Sequence, residues 1–222
     1  TTLGFYESIG NTNLGSIGIV FTIIAVIGLT NAFNFIDGID GLCASIFITS
    51  LINLLFLSYI YGNFIIYEFI IFIILITLIF LFLNISNSAF KIFLGDAGSN
   101  FLGFVTSWLL IFFTSNQINE FHQSLVIWCV TIPLFDFFSV VFKRIFHKKN
   151  PFKFDRNHIH HLLLLKGFNQ NIILIFLVFL SIFLFSLGLV INFYFGNLVS
   201  IFLFLLLFVL YFFFKEIVIK KY

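Results

Sequence analysis

The chain has 222 residues, 61% of them hydrophobic and only 9% charged, with a formal net charge of +2 and a mean hydropathy of +1.18. Soluble domains carry about 25% charged residues, so this composition excludes an ordinary soluble globule, and nucleic acid is not an expected partner. What fits is an integral membrane protein whose principal surroundings are the lipid bilayer.

A helix crossing the hydrocarbon core needs about 20 mostly apolar residues. Seven candidate spans are predicted, over 14–33, 42–61, 64–83, 99–115, 121–143, 170–192 and 196–214. The fourth is short and is expected to be tilted or to begin inside a polar cluster. The connections at Gly62 and Gly196 are tight, which suits antiparallel neighbours. A β-barrel is excluded because the apolar runs are continuous, whereas barrel strands alternate over about ten residues. The predicted fold class is therefore an all-α polytopic helical bundle of about seven transmembrane helices. It is read as a single membrane domain over 1–222, with a histidine-containing loop at 144–169.

Topology follows from the basic residues. If residues 1–13 lie outside, the inside segments are 34–41, 84–98, 144–169 and 215–222. All eleven Lys and Arg then fall inside or at the boundary: Lys91, Lys143, Arg144, Lys148, Lys149, Lys153, Arg156, Lys166, Lys215, Lys220 and Lys221. Cytoplasmic loops carry just such an excess. Cys43 and Cys129 sit in apolar runs and read as small buried hydrophobes, with no CxxC site or disulfide framework. No methionine occurs, so Thr1 is not read as a natural start, and further sequence is expected upstream.

Four polar clusters interrupt the apolar chain: N-A-F-N-F-I-D-G-I-D-G-L at 31–42, F-L-G-D-A-G-S at 93–99, P-L-F-D at 133–136 and P-F-K-F-D-R-N-H-I-H-H at 151–161. An Asp at mid-bilayer costs roughly 2.5–3.5 kcal/mol on insertion scales, so such groups at membrane edges suggest a site. In the first cluster, Asn31 and Asn34 are three apart and share a helix face. Gly38 and Gly41 break the helix where Asp37 and Asp40 fall. This chemistry can hold a nucleobase edge and ribose, or a hydrated metal; a capped helix end with Asx turns is the plainer alternative.

In the second cluster, Asp96 lies between Gly95 and Gly98, and Ser99 can open the next helix, whose N-terminus favours anions. A lone carboxylate there suits Mg²⁺ bridging to phosphate; a capped loop is the alternative, and Phe93 alone reads as packing. For Asp136, the plainer reading is a salt bridge to Arg144 or a helix break. His158, His160 and His161 with Asp155 and Arg156 are compatible with a zinc site, a proton relay or a phosphate clamp. The H-E-x-x-H spacing is absent, and histidine pairs beside Arg and Lys fit anion binding better than zinc; a solvated basic loop on an anionic membrane surface is the plainer alternative, although three histidines in four residues are unusual there.

Taken together and in this order, the four clusters resemble the polyprenyl-phosphate N-acetylhexosamine-1-phosphate transferases (glycosyltransferase family 4), over nearly the whole chain. The segment P-F-K-F-D-R-N-H-I-H-H-L-L-L-L-K-G-F is similar to the branch transferring GlcNAc-1-phosphate. The resemblance implies Mg²⁺ as cofactor, with Mn²⁺ as a substitute, and Asp96 as the metal ligand. It implies that Asn34 and Asp37 lie around the uridine, that Phe93 stacks on uracil, and that Asp40 is an essential acid near the nucleotide. It places Arg156, His158, His160 and His161 in the loop holding the sugar diphosphate, with Asp37, Asp40, Asp96 and the three histidines as the catalytic set. Asn31, Asn34, Phe93, Ser99 and Arg156 are the substrate-binding expectations, Asn31 and Asp136 being pattern positions of structural character. The family's further Asp-Asp motif is absent and is expected upstream of Thr1, so this stretch alone is expected to be inactive.

The expected function is Mg-dependent transfer of N-acetylhexosamine-1-phosphate, with UDP-GlcNAc the favoured UDP-N-acetylhexosamine, to undecaprenyl phosphate. UMP is released, and the product starts a cell-envelope polysaccharide such as O-antigen. The expected location is the bacterial inner membrane, active site on the cytoplasmic face, with a homodimer compatible with the sequence. The rival readings are an ion-coupled transporter, which wants acidic residues near mid-bilayer, and a membrane metallohydrolase, which wants a tight histidine–carboxylate metal set.

Overall fold

A computed structural model describes residues 2–6, 10–13, 15–62, 64–86, 88–115, 123–148, 150 and 157–220. Apart from a short antiparallel pair, β1 (Thr2–Tyr6) and β2 (Gly10–Asn13), the described residues build helices. These are α1 (Ile17–Ile36), α2 (Leu42–Ile60), α3 (Phe64–Ile85), α4 (Gly95–Ser115), α5 (Ser124–Trp128), α6 (Thr131–Phe146), α7 (Ile159–Leu165) and α8 (Gln170–Lys220). Five of them are long and apolar enough to cross a membrane: α1, α2, α3, α4 and α8. The chain is an integral membrane protein with an all-helical fold, as the composition predicts. The β1–β2 pair has no counterpart in the expected elements.

The helix α2 is the axis of the bundle. Some 72% of its apolar window is buried, against 17% for α3, and it packs on α1, α3, α4 and α8. In water, α3 would be untenable with Phe72, Ile79 and Phe82 open to solvent; in a bilayer, lipid covers that face. Close approach of α4 to α1 depends on Gly103: a Cβ there would sit 2.7 Å from Thr30 Cα and 3.1 Å from Phe33 Cβ.

Two expected spans take a different form. The fifth, expected over 121–143, is not one helix: α5 ends at Trp128 and α6 begins at Thr131, while 116–122 lie outside the described residues. The break has a cause in the sequence. Pro133 has no N–H to give the Cys129 carbonyl, and its ring crowds that carbonyl, so the helix restarts with Pro133 in its first turn. The sixth and seventh expected spans are the two arms of α8, divided at Gly196 (φ 76°, ψ −176°). At ~1.5 Å per residue, the 48-residue apolar window of α8 is too long for one crossing of a ~30 Å core.

The chain reverses at that glycine. The start of α8 brings the Leu174 side chain against Gly41, and its last turns bring Lys215 to Asp136. Gly41 follows Asp40, and Asp136 holds the His158–Ile159 step, so both ends of α8 lie at one end of the bundle. Ser124 is at the opposite end, bonded from both sides of the bend: its hydroxyl accepts from Asn192 and its N–H donates to Asn197 Oδ1.

Candidate active site

The end of the bundle where α1, α3 and α6 finish and α2 and α4 start collects the polar clusters. Helix α1 runs to Ile36, three residues beyond the predicted span, so Asn31 and Asn34 lie in its last turns and Asp37 just past its end. Asn34 reaches across to α4, its Nδ2 donating to Ser99 Oγ at 2.9 Å. Asn31 turns back instead, donating to its own helix at Ile27 O, 2.8 Å. Ser99 does not open α4, which starts four residues earlier at Gly95. Asp96 takes the first turn, where a negative charge is favoured by the helix dipole. The Ser99 hydroxyl is buried and lies 3.2 Å from both the Gly95 and Asp96 carbonyls.

The loops after α1 and α3 form the walls of a cleft of about 240 Å³, lined by Asp37, Gly38, Ile39, Asp40, Asn84, Phe93, Leu94 and Gly95. Asn84, in the last turn of α3, ties these walls together. Its Oδ1 accepts from the Gly41 N–H at 2.6 Å and its Nδ2 donates to Ile92 O at 2.7 Å. Lys91 makes a second tie, donating to Asp40 Oδ2 at 2.6 Å, with its ammonium 5.3 Å from the Phe93 ring centre. The Phe93 ring is 74% exposed at the cleft mouth, placed to stack on a planar ligand.

Burial, then repulsion from Asp96 and Asp40, pushes the Asp37 carboxyl up to about 6. Asp96 and Asp40 lie close enough to disfavour the charge on Asp37, which a cation would relieve. Among the described residues, no group of three His, Cys, Asp or Glu forms a metal cage, the arrangement a zinc hydrolase would want. Mg²⁺ needs only one or two carboxylates plus substrate phosphates, and Asp96 with Asp37 fits that donor set.

The histidine segment packs against the loop after α1. A Cβ on Gly38 would collide with the His160 ring, so glycine at that position lets α7 dock against the loop after α1. His160 is fully buried, and among the described residues neither ring nitrogen has a hydrogen-bond partner. Burial, opposed by Asp136 but reinforced by His161, His158 and Lys215, lowers its pKa to about 3, so the ring is neutral. Its centre is 4.1 Å from that of His161 and 6.0 Å from that of His158, nearly parallel to the latter. Arg156 and Asp155 lie outside the described residues.

Asp136 is not paired with Arg144. Arg144 instead donates to Asn150 O at 3.3 Å, while Asp136 accepts from His158, Ile159, Tyr211 and Lys215. The carboxylate points inward from α6, whereas Arg144 lies two turns further on. The structure thus brings together Asn34, Asp37, Asp40, Phe93, Ser99, His158 and His160, and turns Asn31 aside. Asn84, Lys91, Tyr211 and Lys215 join them without having been singled out as site residues. Their common signal is a polar side chain terminating or interrupting an apolar span.

The sequence of residues 1–114 matches the model of glycosyl transferase family 4. The chain is 30% identical over 195 residues to an undecaprenyl-phosphate alpha-N-acetylglucosaminyl 1-phosphate transferase of Escherichia coli, covering 87% of this chain and 53% of that one. Proteins of the same name from Yersinia pestis (32% over 179 residues; 80% and 49%) and Haemophilus influenzae (33% over 187 residues; 83% and 53%) are similarly related. The chain spans about half the length of these curated relatives.

Proposed function

Because the chain belongs to glycosyl transferase family 4, we propose that it serves in a Mg-dependent phosphoglycosyl transferase. The enzyme moves N-acetylhexosamine-1-phosphate, in the first instance GlcNAc-1-phosphate, from its UDP derivative to undecaprenyl phosphate. An oxygen of the lipid phosphate bonds to the β-phosphorus of the donor. The bond from that phosphorus to the oxygen bridging the two phosphates breaks, and UMP leaves with the electron pair. A phosphate monoester has its second pKa near 6, so the acceptor is largely ionised at neutral pH and no strong general base is assigned.

The observation that carries this reading is the convergence of an aromatic, a set of mutually repelling carboxylates and a histidine segment on one end of an apolar bundle. In this reading Phe93 stacks on the uracil, and Asn34 and Asp37 face the nucleoside. Asp96, with Asp37, holds the Mg²⁺, which when bound neutralises charge on the donor diphosphate. His158, His160 and His161 form the wall against which the sugar diphosphate sits, with Arg156 from the same segment. The bias of the basic residues supports a cytoplasmic side for this end; in this reading the membrane is a bacterial inner membrane, where a soluble nucleotide sugar meets a lipid head group.

The test uses the purified full-length gene product in detergent with radiolabelled UDP-GlcNAc, undecaprenyl phosphate and Mg²⁺. Label should enter the lipid fraction with UMP released, and Asp96→Asn should abolish it. Transfer from a different UDP-N-acetylhexosamine alone would change the donor and keep the reaction. No transfer from any nucleotide sugar, in protein that is folded by thermal melt, would overturn the proposal.

A further inference from the structure

Outside the carboxylate cleft, the Asp136 carboxylate, 1% exposed, accepts from four donors. Its Oδ1 accepts from Lys215 Nζ at 2.6 Å, the Ile159 N–H at 2.9 Å and the Tyr211 hydroxyl at 3.2 Å. Its Oδ2 lies 2.7 Å from His158 Nδ1. Lys215, 2% exposed, also donates to Ser139 Oγ at 2.7 Å. Three separate elements therefore meet on one side chain: α6, the start of α7 and the second arm of α8.

We propose that the Asp136–Lys215 pair is a positioning device that fixes the tautomer and direction of the His158 ring and thereby seats the histidine segment against the carboxylate cleft. The inference rests on the reading of that segment as the donor-binding wall. Because a carboxylate accepts only, Nδ1 of His158 must carry the proton that faces it. The lysine ammonium balances the carboxylate charge, so the imidazole is not required as a counter-ion. Nε2 is then the edge directed away from Asp136. The ring lies against Phe35, 5.1 Å between centres, two residues before Asp37. The adjoining Ile159 N–H is bonded to the same carboxylate, fixing backbone and ring of the segment as a unit.

A purely stabilising role explains this arrangement poorly. Buried ion pairs are often replaceable by apolar residues at no loss of stability, whereas a carboxylate with four donors fixes orientation. A carboxylate that accepts from one ring nitrogen of a histidine sets the tautomer and direction of that ring. Lys215 follows the Phe- and Leu-rich run of α8 one turn after Tyr211, and it turns inward to Asp136.

The test separates position from stability. The protein, labelled with ¹⁵N-histidine, is examined in detergent by long-range ¹H–¹⁵N correlation, the His158 signals being identified by their loss in His158→Gln. Wild type should show the Nδ1–H pattern at His158. Asp136→Asn can present an amide N–H to Nδ1, and should move the proton to Nε2 and weaken UDP-GlcNAc binding by roughly tenfold or more. Lys215→Met alone leaves the carboxylate buried without its counter-charge and should lower the melting temperature. In Asp136→Asn/Lys215→Met the melting temperature should recover, while the Nε2–H pattern and the weak binding persist.

An Nε2–H tautomer in wild type, or wild-type binding by the double variant, would overturn the inference. Failure of wild type to bind UDP-GlcNAc would instead count against the donor assignment, while the tautomer shift with Asp136→Asn still decides the positioning role.

Discussion

Two regions at the same end of the bundle handle charge in opposite ways. Around Asp136, a buried carboxylate meets a buried ammonium, and four donors satisfy it. Around Asp37, a carboxylate facing the cleft feels the repulsion of Asp40 on its own loop and of Asp96 in the first turn of α4. The first region is complete without a ligand; the second is arranged to gain from a cation. Organising the bundle and accepting charge from outside thus fall to separate residues, and each can be perturbed while the other is watched.

The largest expected effect on stability is at the complete region. Asp136→Ala removes the carboxylate that balances the buried Lys215 ammonium and should destabilise the bundle by about 3–5 kcal/mol, read as a fall in thermal or denaturant midpoint. Asp96→Asn is the counterpart at the open region. Asp96 is exposed, so its substitution should move stability by no more than about 0.5 kcal/mol. Transfer activity should nevertheless fall by roughly 10²–10³-fold, the scale for removing one electrostatic contact to a transition state. If Asp96→Asn unfolds the protein, or Asp136→Ala leaves its melt unchanged, the division of labour is wrong.

Asn84 is where the open region borrows rigidity. It is 4% exposed, and its two bonds join the loop after α1 to the loop after α3. Asn84→Ala leaves the Gly41 N–H and the Ile92 carbonyl without that partner and should cost about 1–3 kcal/mol. Because both walls loosen, affinity for a uridine nucleotide should fall with it. Unchanged nucleotide affinity would mean that the cleft does not depend on this strut.

A pH effect distinguishes the histidine wall from both. His160 is neutral in the fold, with its pKa lowered from 6.5 to about 3. The unfolded chain takes up a proton below 6.5 that the folded protein refuses, so stability is full above that value and declines as pH falls toward 3. His160→Phe should flatten the decline of the melting temperature between pH 6.5 and 4. An unaltered slope would assign the acid sensitivity to other groups.

Much of this organisation can be read from the chain. The all-helical membrane character follows from unbroken apolar runs, and the meeting of Asp37, Phe93 and the histidines from basic residues confined to alternate connections. What escapes is pairing across the bundle. Asp136 has Arg144 two turns away in sequence, and local spacing favours that partner. Its actual cation, Lys215, is remote in the chain and is delivered by the reversal at Gly196. Asn84 looks like the polar end of a span until the loops on either side are in place. The split of the fifth span at Pro133 was open to inference, since a proline forbids the preceding turn, but the apolar run hides it.

The smallest expected effect falls on the other ion pair. Lys91 and Asp40 are 2.6 Å apart, like Lys215 and Asp136, yet their side chains are 28% and 37% exposed, against 2% and 1%. Equal distance does not imply equal energy, because water screens the exposed pair and competes for both partners. Lys91→Ala should cost only about 0.2–1 kcal/mol, and the difference from wild type should shrink further in 1 M salt, where the Debye length is about 3 Å. A loss above ~2 kcal/mol that persists in high salt would mean that the cleft is as fully prebuilt as the Asp136 region, and the contrast between the two would fail. A small, salt-sensitive loss leaves Asp40 able to exchange Lys91 for another cation.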